Sequence, residues 1–97
     1  MKFIRFSGTT PFLGTDYEDY IAVEDDTPED YLTMQAKGYA IDNGRRYDHF
    51  IKEDMKKLSD TEKNFFYLEY LQKCLDAGQW EYVTEYDFDR AMDRFST

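Results

Sequence analysis

The sequence predicts an α+β domain in which a short N-terminal β-hairpin packs against two or three α-helices. Three observations predict it. Two alternating segments, Lys2-Phe3-Ile4-Arg5-Phe6 and Tyr17 to Glu24, lie close together with turn residues between them. Two helix-start signatures follow, at Thr27-Pro28-Glu29-Asp30 and at Ser59-Asp60-Thr61-Glu62. Finally, Phe88, Ala91, Met92 and Phe95 recur at i, i+3, i+4 and i+7, the period of one helical face. At 97 residues a single domain spanning 1–97 is expected, and area scaling has about 65% of the extended-chain surface buried on folding. Aromatic residues, 19% of the chain, supply the bulk for one core, so a charged fraction of 34% does not imply disorder.

The first strand ends at Ser7-Gly8-Thr9-Thr10-Pro11, which is turn chemistry, and Phe12-Leu13 in the following loop are expected to pack back on the domain. In the second strand Tyr20, Ala22 and Glu24 alternate with Ile21 and Val23, so the pair reads as a hairpin with a wide connection. Two strands are marginal in water, so helices must cover a face. Thr27 suits the N-cap, Pro28 the first helical position, and Glu29 and Asp30 the positive end of the helix dipole. Leu32, Ala36, Tyr39, Tyr47 and Phe50 extend this helix to about residue 47. Gly38 and Gly44 weaken it, and Asn43-Gly44 is an alternative end.

Ser59-Asp60-Thr61-Glu62 is a capping box that opens the next helix, and Gly78 is placed to close it as a left-handed cap. Its stripe of Phe65, Leu68, Leu71 and Leu75 is broadened by Phe66, Tyr67, Tyr70 and Cys74, too wide for one face. Either this helix is central or part of it is an interface, which makes a homodimer an expectation to test. Cys74, the single cysteine, falls inside the apolar pattern and should be buried and inert. Gln79 to Val83 is short and β-prone, and Thr84 caps the last helix.

The chain is organised around Asp16 to Asp30, which holds eight carboxylates and no Lys or Arg. The net charge of −9 is correspondingly uneven: residues 1–15 contribute +2, 16–36 contribute −8, 37–58 contribute +2 and 59–97 contribute −5. Direct nucleic-acid binding is disfavoured, because it is driven by neutralising phosphates with Lys and Arg. A basic protein surface is the natural complement. Tyr17, Tyr20 and Tyr31 among the first acids, and Tyr82 and Tyr86 among the later ones, add aromatic anchors that stack on guanidinium planes. The candidate partner-binding residues are Asp16, Tyr17, Glu18, Asp19, Tyr20, Glu24, Asp25 and Asp26. The plain alternative is that these acids only solvate the domain. Carboxylates on one contiguous face, spaced about 6 to 7 Å along a strand, favour imitation of nucleic acid toward a nucleic-acid-binding enzyme; scattered ones do not.

The runs Phe6-Ser7-Gly8-Thr9-Thr10-Pro11-Phe12-Leu13-Gly14-Thr15-Asp16-Tyr17 and Trp80-Glu81-Tyr82-Val83-Thr84-Glu85-Tyr86-Asp87-Phe88 resemble small acidic proteins of phages and mobile elements of Gram-positive gut bacteria. The resemblance covers the two ends of the chain and supplies no catalytic residues. It implies a mobile-element accessory protein, similar in size and charge to anti-CRISPR and other counter-defence inhibitors.

Enzymatic chemistry finds little to work with. His49 is the only histidine, so a histidine-based metal cluster and a Cys74-His49 nucleophile are disfavoured, and Asp48-His49 with Glu53 and Asp54 is a weak metal candidate. The alternating ligands of a calcium loop and the lysine of a phosphate-binding loop are missing. Neither a metal nor a cofactor is expected, nor a deep pocket with convergent polar groups. No apolar run approaches a membrane span and no secretory signal is legible, so a bacterial cytosolic protein that binds no membrane is expected.

Overall fold

In the computed structural model the described residues form three strands and four helices: β1 (Lys2–Thr9), β2 (Asp16–Val23), α1 (Glu29–Arg45), α2 (Asp48–Asp54), α3 (Asp60–Ala77), β3 (Gln79–Val83) and α4 (Glu85–Ser96). The structure describes residues 1–11, 13–46 and 48–96, with side chains for all of these except 48–50 and 96. The fold is α+β, with the expected N-terminal hairpin. The segment after Gly78 joins the sheet on the far side of β1, giving an antiparallel sheet of order β2-β1-β3.

Alternation along β1 divides the sheet into two faces. Ile4 and Phe6 point toward α1 and are buried with Leu32 and Ala36, joined by Ile21, Val23, Tyr39 and Trp80. The Phe6 and Tyr39 rings stack at 4.5 Å. Phe3, Arg5 and Tyr20 lie on the other face, under α4, where Phe3 meets Phe88 at 4.9 Å and Tyr20 meets Phe95 at 6.4 Å. The β1–β2 connection closes through Thr10 N–H to Thr15 O and Gly14 N–H to Thr10 O, with Gly14 at φ 67°, a left-handed conformation that suits glycine. Leu13 is exposed rather than packed back, carried on a turn closed by its own backbone hydrogen bonds; Phe12 lies outside the described residues.

The start of α1 lies one residue later than expected. Pro28 has ψ 145° and is itself the cap; its carbonyl accepts from Tyr31 and Leu32, and no side chain, Thr27 included, caps the helix. The helix runs through Asn43-Gly44, both buried, to Arg45, close to the expected end. Tyr47 and the Phe50 side chain, expected on its stripe, lie outside the described residues. The middle of the chain then forms α2, whose Ile51, with Met55 beyond it, packs on Tyr70 and Cys74 of α3 to make a second core with Leu58, Phe66, Tyr67 and Leu71.

At α3 the capping box is present, with Glu62 N–H on Ser59 Oγ and Ser59 N–H on Glu62 Oε1. Its buried side is Tyr70 and Cys74, and the expected stripe divides: Leu71 packs on that core, while Phe65 and Leu68 face solvent. Two apolar stripes compete on this helix, and α2 covers only one. Gly78 is not left-handed, since its φ is −72° and ψ 130°. Its bare Cα is needed because a Cβ would meet Ala40 Cβ at 2.9 Å and Ala36 O at 3.3 Å. Thr84 caps α4 as expected, accepting from Asp87 N–H at 3.1 Å. No described helix is long and apolar enough to cross a membrane.

The two glycines inside α1 are predicted to respond oppositely to alanine. Nothing lies within 4 Å of a Cβ at Gly38, so Gly38→Ala gains helix propensity and stabilises by about 0.5–1 kcal/mol. At Gly44 a Cβ would come 2.6 Å from Cys74 Sγ in a closed core, so overpacking outweighs propensity and Gly44→Ala destabilises by about 1–2 kcal/mol. Urea melts of both variants read the two signs.

Candidate functional site

The candidate residues divide according to the strand period. Residues opposite one another in an antiparallel pair share a face, and neighbours along one strand do not. Asp19 is opposite Phe6 and points toward α1, where it accepts from Asn43 Nδ2 at 3.2 Å; the same Nδ2 donates to Tyr39 O at 2.8 Å. Tyr17 shares this face. Its ring lies against Gly8, where a Cβ would come 2.6 Å from the hydroxyl, and the hydroxyl is buried with no hydrogen-bond partner among the described residues. Burial, and after it the charge of Asp19, push the Tyr17 pKa up. Tyr17 and Asp19 therefore serve the packing of the sheet on its helices.

Asp16, Glu18 and Tyr20 lie on the α4 face. Asp16 accepts from Thr9 Oγ1 at 2.6 Å, Tyr20 donates to Glu18 Oε2 at 3.0 Å, and Arg94 lies 3.8 Å from the same oxygen. Asp16 and Glu18 make one step of a row at strand spacing, and Tyr20 ends it. The row that imitation of nucleic acid asks for is thus two carboxylates long.

Glu24, Asp25 and Asp26 form the turn from β2 to α1, and Glu29 and Asp30 begin the helix; all five are exposed. The Met1 amino group sits 2.9 Å from Asp25 Oδ1 and feels the charges of Glu24 and Glu85 as well. Its hydrogen bond holds the Asp25 carboxyl below its ordinary value, and Asp25 in turn raises the amine. One end of the molecule therefore gathers Glu24, Asp25, Asp26, Glu29, Asp30 and Glu85, with Tyr31, also exposed, in the first turn of α1. Glu24, Asp26, Glu29, Asp30 and Glu85 make no salt bridge with any described residue. Glu85 reaches this end because β3 runs antiparallel to β1, with Val83 opposite Phe3, and delivers the start of α4 beside the N-terminus. Asp16 lies at the far end of β2, about 25 Å away at strand rise. No flat surface engages all eight candidates at once.

Between the sheet and α4 an open cleft of about 750 Å³ gathers Arg5, Arg90 and Arg94 with Glu18, Glu81 and Asp87. Polar groups converge here, in a cleft that is open to solvent. They are engaged with one another: Arg5 donates to the Glu81 carboxylate, Arg94 approaches Glu18, and Arg90 lies 5.6 Å above the Tyr86 ring. A hydrogen bond to Tyr20, then the charge of Glu81, raise the Arg5 pKa against the lowering effect of burial. The chain Arg5, Tyr20, Glu18, Arg94 ties β1, β2 and α4 together. Tyr82 is partly covered by Lys2, whose Nζ is 5.2 Å from the ring centre.

Among the described residues no three His, Cys, Asp or Glu side chains are placed to hold a metal ion. The His49 and Asp48 side chains lie outside the described residues. Cys74 is buried beneath Gly44.

Fold and site together define a small α+β domain with a three-stranded antiparallel sheet, helices on both faces, and an acidic end. Comparison with protein-family models, with curated proteins and with solved structures finds no match.

Proposed function

We propose that this chain is a non-enzymatic binding domain whose acidic end docks on a basic protein surface. The observation that carries the reading is the convergence of six exposed carboxylates, from the β2–α1 turn, the first turn of α1 and the start of α4, with Tyr31 beside them. Charges held on element termini need little ordering when a partner arrives, and a patch of one sign steers a partner of the other. Asp16, Glu18 and Tyr20 form a secondary acidic edge on β2, where charge also guards an unpaired strand edge against a second copy. The resemblance of the chain ends to small acidic phage proteins supports an accessory protein acting on a basic, nucleic-acid-handling host component. The two-carboxylate row supports recognition of a basic surface over point-by-point imitation of a phosphate backbone.

Capture from a Gram-positive bacterial lysate at low and at high salt, using wild type and a Glu24→Lys, Asp25→Lys, Asp26→Lys variant, tests this. A protein retained by wild type, released by salt and not retained by the variant is expected. Equal retention by both would overturn the reading and leave the acidic end as a solvated surface.

A further inference from the structure

Given the basic partner proposed above, on whose existence this step rests, we infer that the outer edge of β2 takes an extended basic segment of that partner as a further strand of the sheet.

The order β2-β1-β3 leaves β2 paired on one side only, along all 8 of its residues. In an antiparallel ladder alternate residues turn both N–H and C=O toward the neighbouring strand, so the other half of β2 turns these groups outward. Among the described residues, no backbone hydrogen bond outside the β1 ladder reaches Asp16–Val23, and no side chain bonds its backbone. Nor is any residue of β2 buried, whereas β1 buries Ile4 and Phe6. An open row of donors and acceptors is a template for another strand. The opposite edge offers less, because β3 is 5 residues long and its one carboxylate, Glu81, is held by Arg5.

Charge selects the occupant. No Lys or Arg stands between Arg5 and Lys37 in the sequence. Asp16, Glu18 and Asp19 fall in the first half of β2, Tyr20-Ile21-Ala22-Val23 make up the second half, and Glu24-Asp25-Asp26 follow directly. The edge is acidic, then apolar, then acidic, so its complement is a strand that is basic, apolar and basic, whichever way it runs. Asp16 and Glu18 project on one face about 6 to 7 Å apart, which is the spacing of alternate residues in the incoming strand, so a Lys or Arg at every second position meets both. Asp16, Glu24 and Asp26 make no salt bridge with a described residue, and Arg94 approaches Glu18 from α4 only to 3.8 Å. A second copy of this chain does not suit the edge, because β2 against β2 sets the carboxylates of Asp16, Glu18 and Asp19 from both strands along one seam.

The test titrates a blocked peptide, Lys-Thr-Lys-Thr-Val-Val-Thr-Lys-Thr-Lys, into the isotope-labelled full chain and follows amide hydrogen exchange by NMR. A second peptide carries prolines in place of both valines, which removes a donor from each of its edges and keeps every charge. The valine peptide is expected to bind, more weakly at high salt, and to slow exchange at alternate residues of Asp16–Val23; the proline peptide is expected to bind at least about tenfold more weakly. Equal binding of the two peptides, or binding that leaves exchange in β2 unchanged, would overturn strand addition while leaving a basic partner held by charge alone. Binding of neither peptide would overturn it too, whereas the basic partner itself stands or falls with the lysate capture and its Glu24, Asp25, Asp26 variant.

Discussion

Tyr70→Ala is expected to destabilise the protein by about 3–5 kcal/mol and to lower its melting temperature by about 15 °C or more. Tyr70 is fully buried, is the largest such side chain, and joins α3 to α1 by donating from its hydroxyl to Gly44 O at 2.8 Å. Alanine leaves a ring-sized void among Ile51, Met55 and Cys74, and a carbonyl that loses its tyrosine partner. Since a domain of this size has a total stability of about 5–15 kcal/mol, that single loss removes a large part of the whole. Tyr70→Phe separates the two contributions: it keeps the ring and costs about 1 kcal/mol for the lost hydrogen bond, since Gly44 O also accepts from the Arg46 N–H. Thermal or urea unfolding of both variants checks the order, and a Tyr70→Ala protein as stable as Tyr70→Phe would show that the second core is not packed as described.

Reversing Glu24, Asp25 and Asp26 to lysine is expected to weaken binding to the basic partner at least about tenfold, mainly through slower association, and to flatten its salt dependence. Folding stability should barely change. All three side chains sit in an exposed turn, where loss of the exposed Met1–Asp25 pair is small and is offset by relief of the repulsion with Glu29, Asp30 and Glu85. The informative comparison holds net charge constant. Asp42→Lys, Asp54→Lys and Asp76→Lys remove an equal number of carboxylates, from exposed positions on α1, α2 and α3. If location matters, only the first triple loses the partner.

Local chemistry made much of the fold legible. The Ser59 capping box, Thr84 at the start of α4 and the alternation of β1 and β2 each rest on contacts within a few residues, and each forms as read. What stayed hidden depends on contacts between distant residues. That β3 pairs with β1, making β2 an edge, is set by the packing of Trp80 on Phe6 and of Tyr82 beside Ile4, which no window of sequence contains. Which part of the wide apolar surface of α3 is buried stays open in the sequence, because Phe65-Leu68 and Tyr70-Cys74 are equally good stripes until α2 chooses one. Gly78 was read as a conformational glycine, whereas Ala40 and the Ala36 carbonyl across the helix end require its lack of a Cβ.

The acidic stretch was legible as composition and not as a surface. A run of acids along a strand alternates between two faces, so Asp19 and Glu18 separate and Tyr17 turns inward over Gly8. Convergence was instead produced by the turn after β2 and by Glu85, some sixty residues away, which antiparallel pairing brings to the same end. The arginines of the α4 cleft come together in the same way, from β1 and from α4.

The most direct test of the acidic end as a docking surface is the affinity of the captured partner for three proteins: wild type, the Glu24, Asp25, Asp26 triple and the charge-matched Asp42, Asp54, Asp76 triple, each at low and high salt. Weakening at least about tenfold in the first triple, with the second within about twofold of wild type, is the predicted result. Equal weakening of both triples would show that net charge alone attracts the partner, and the acidic end would hold no site.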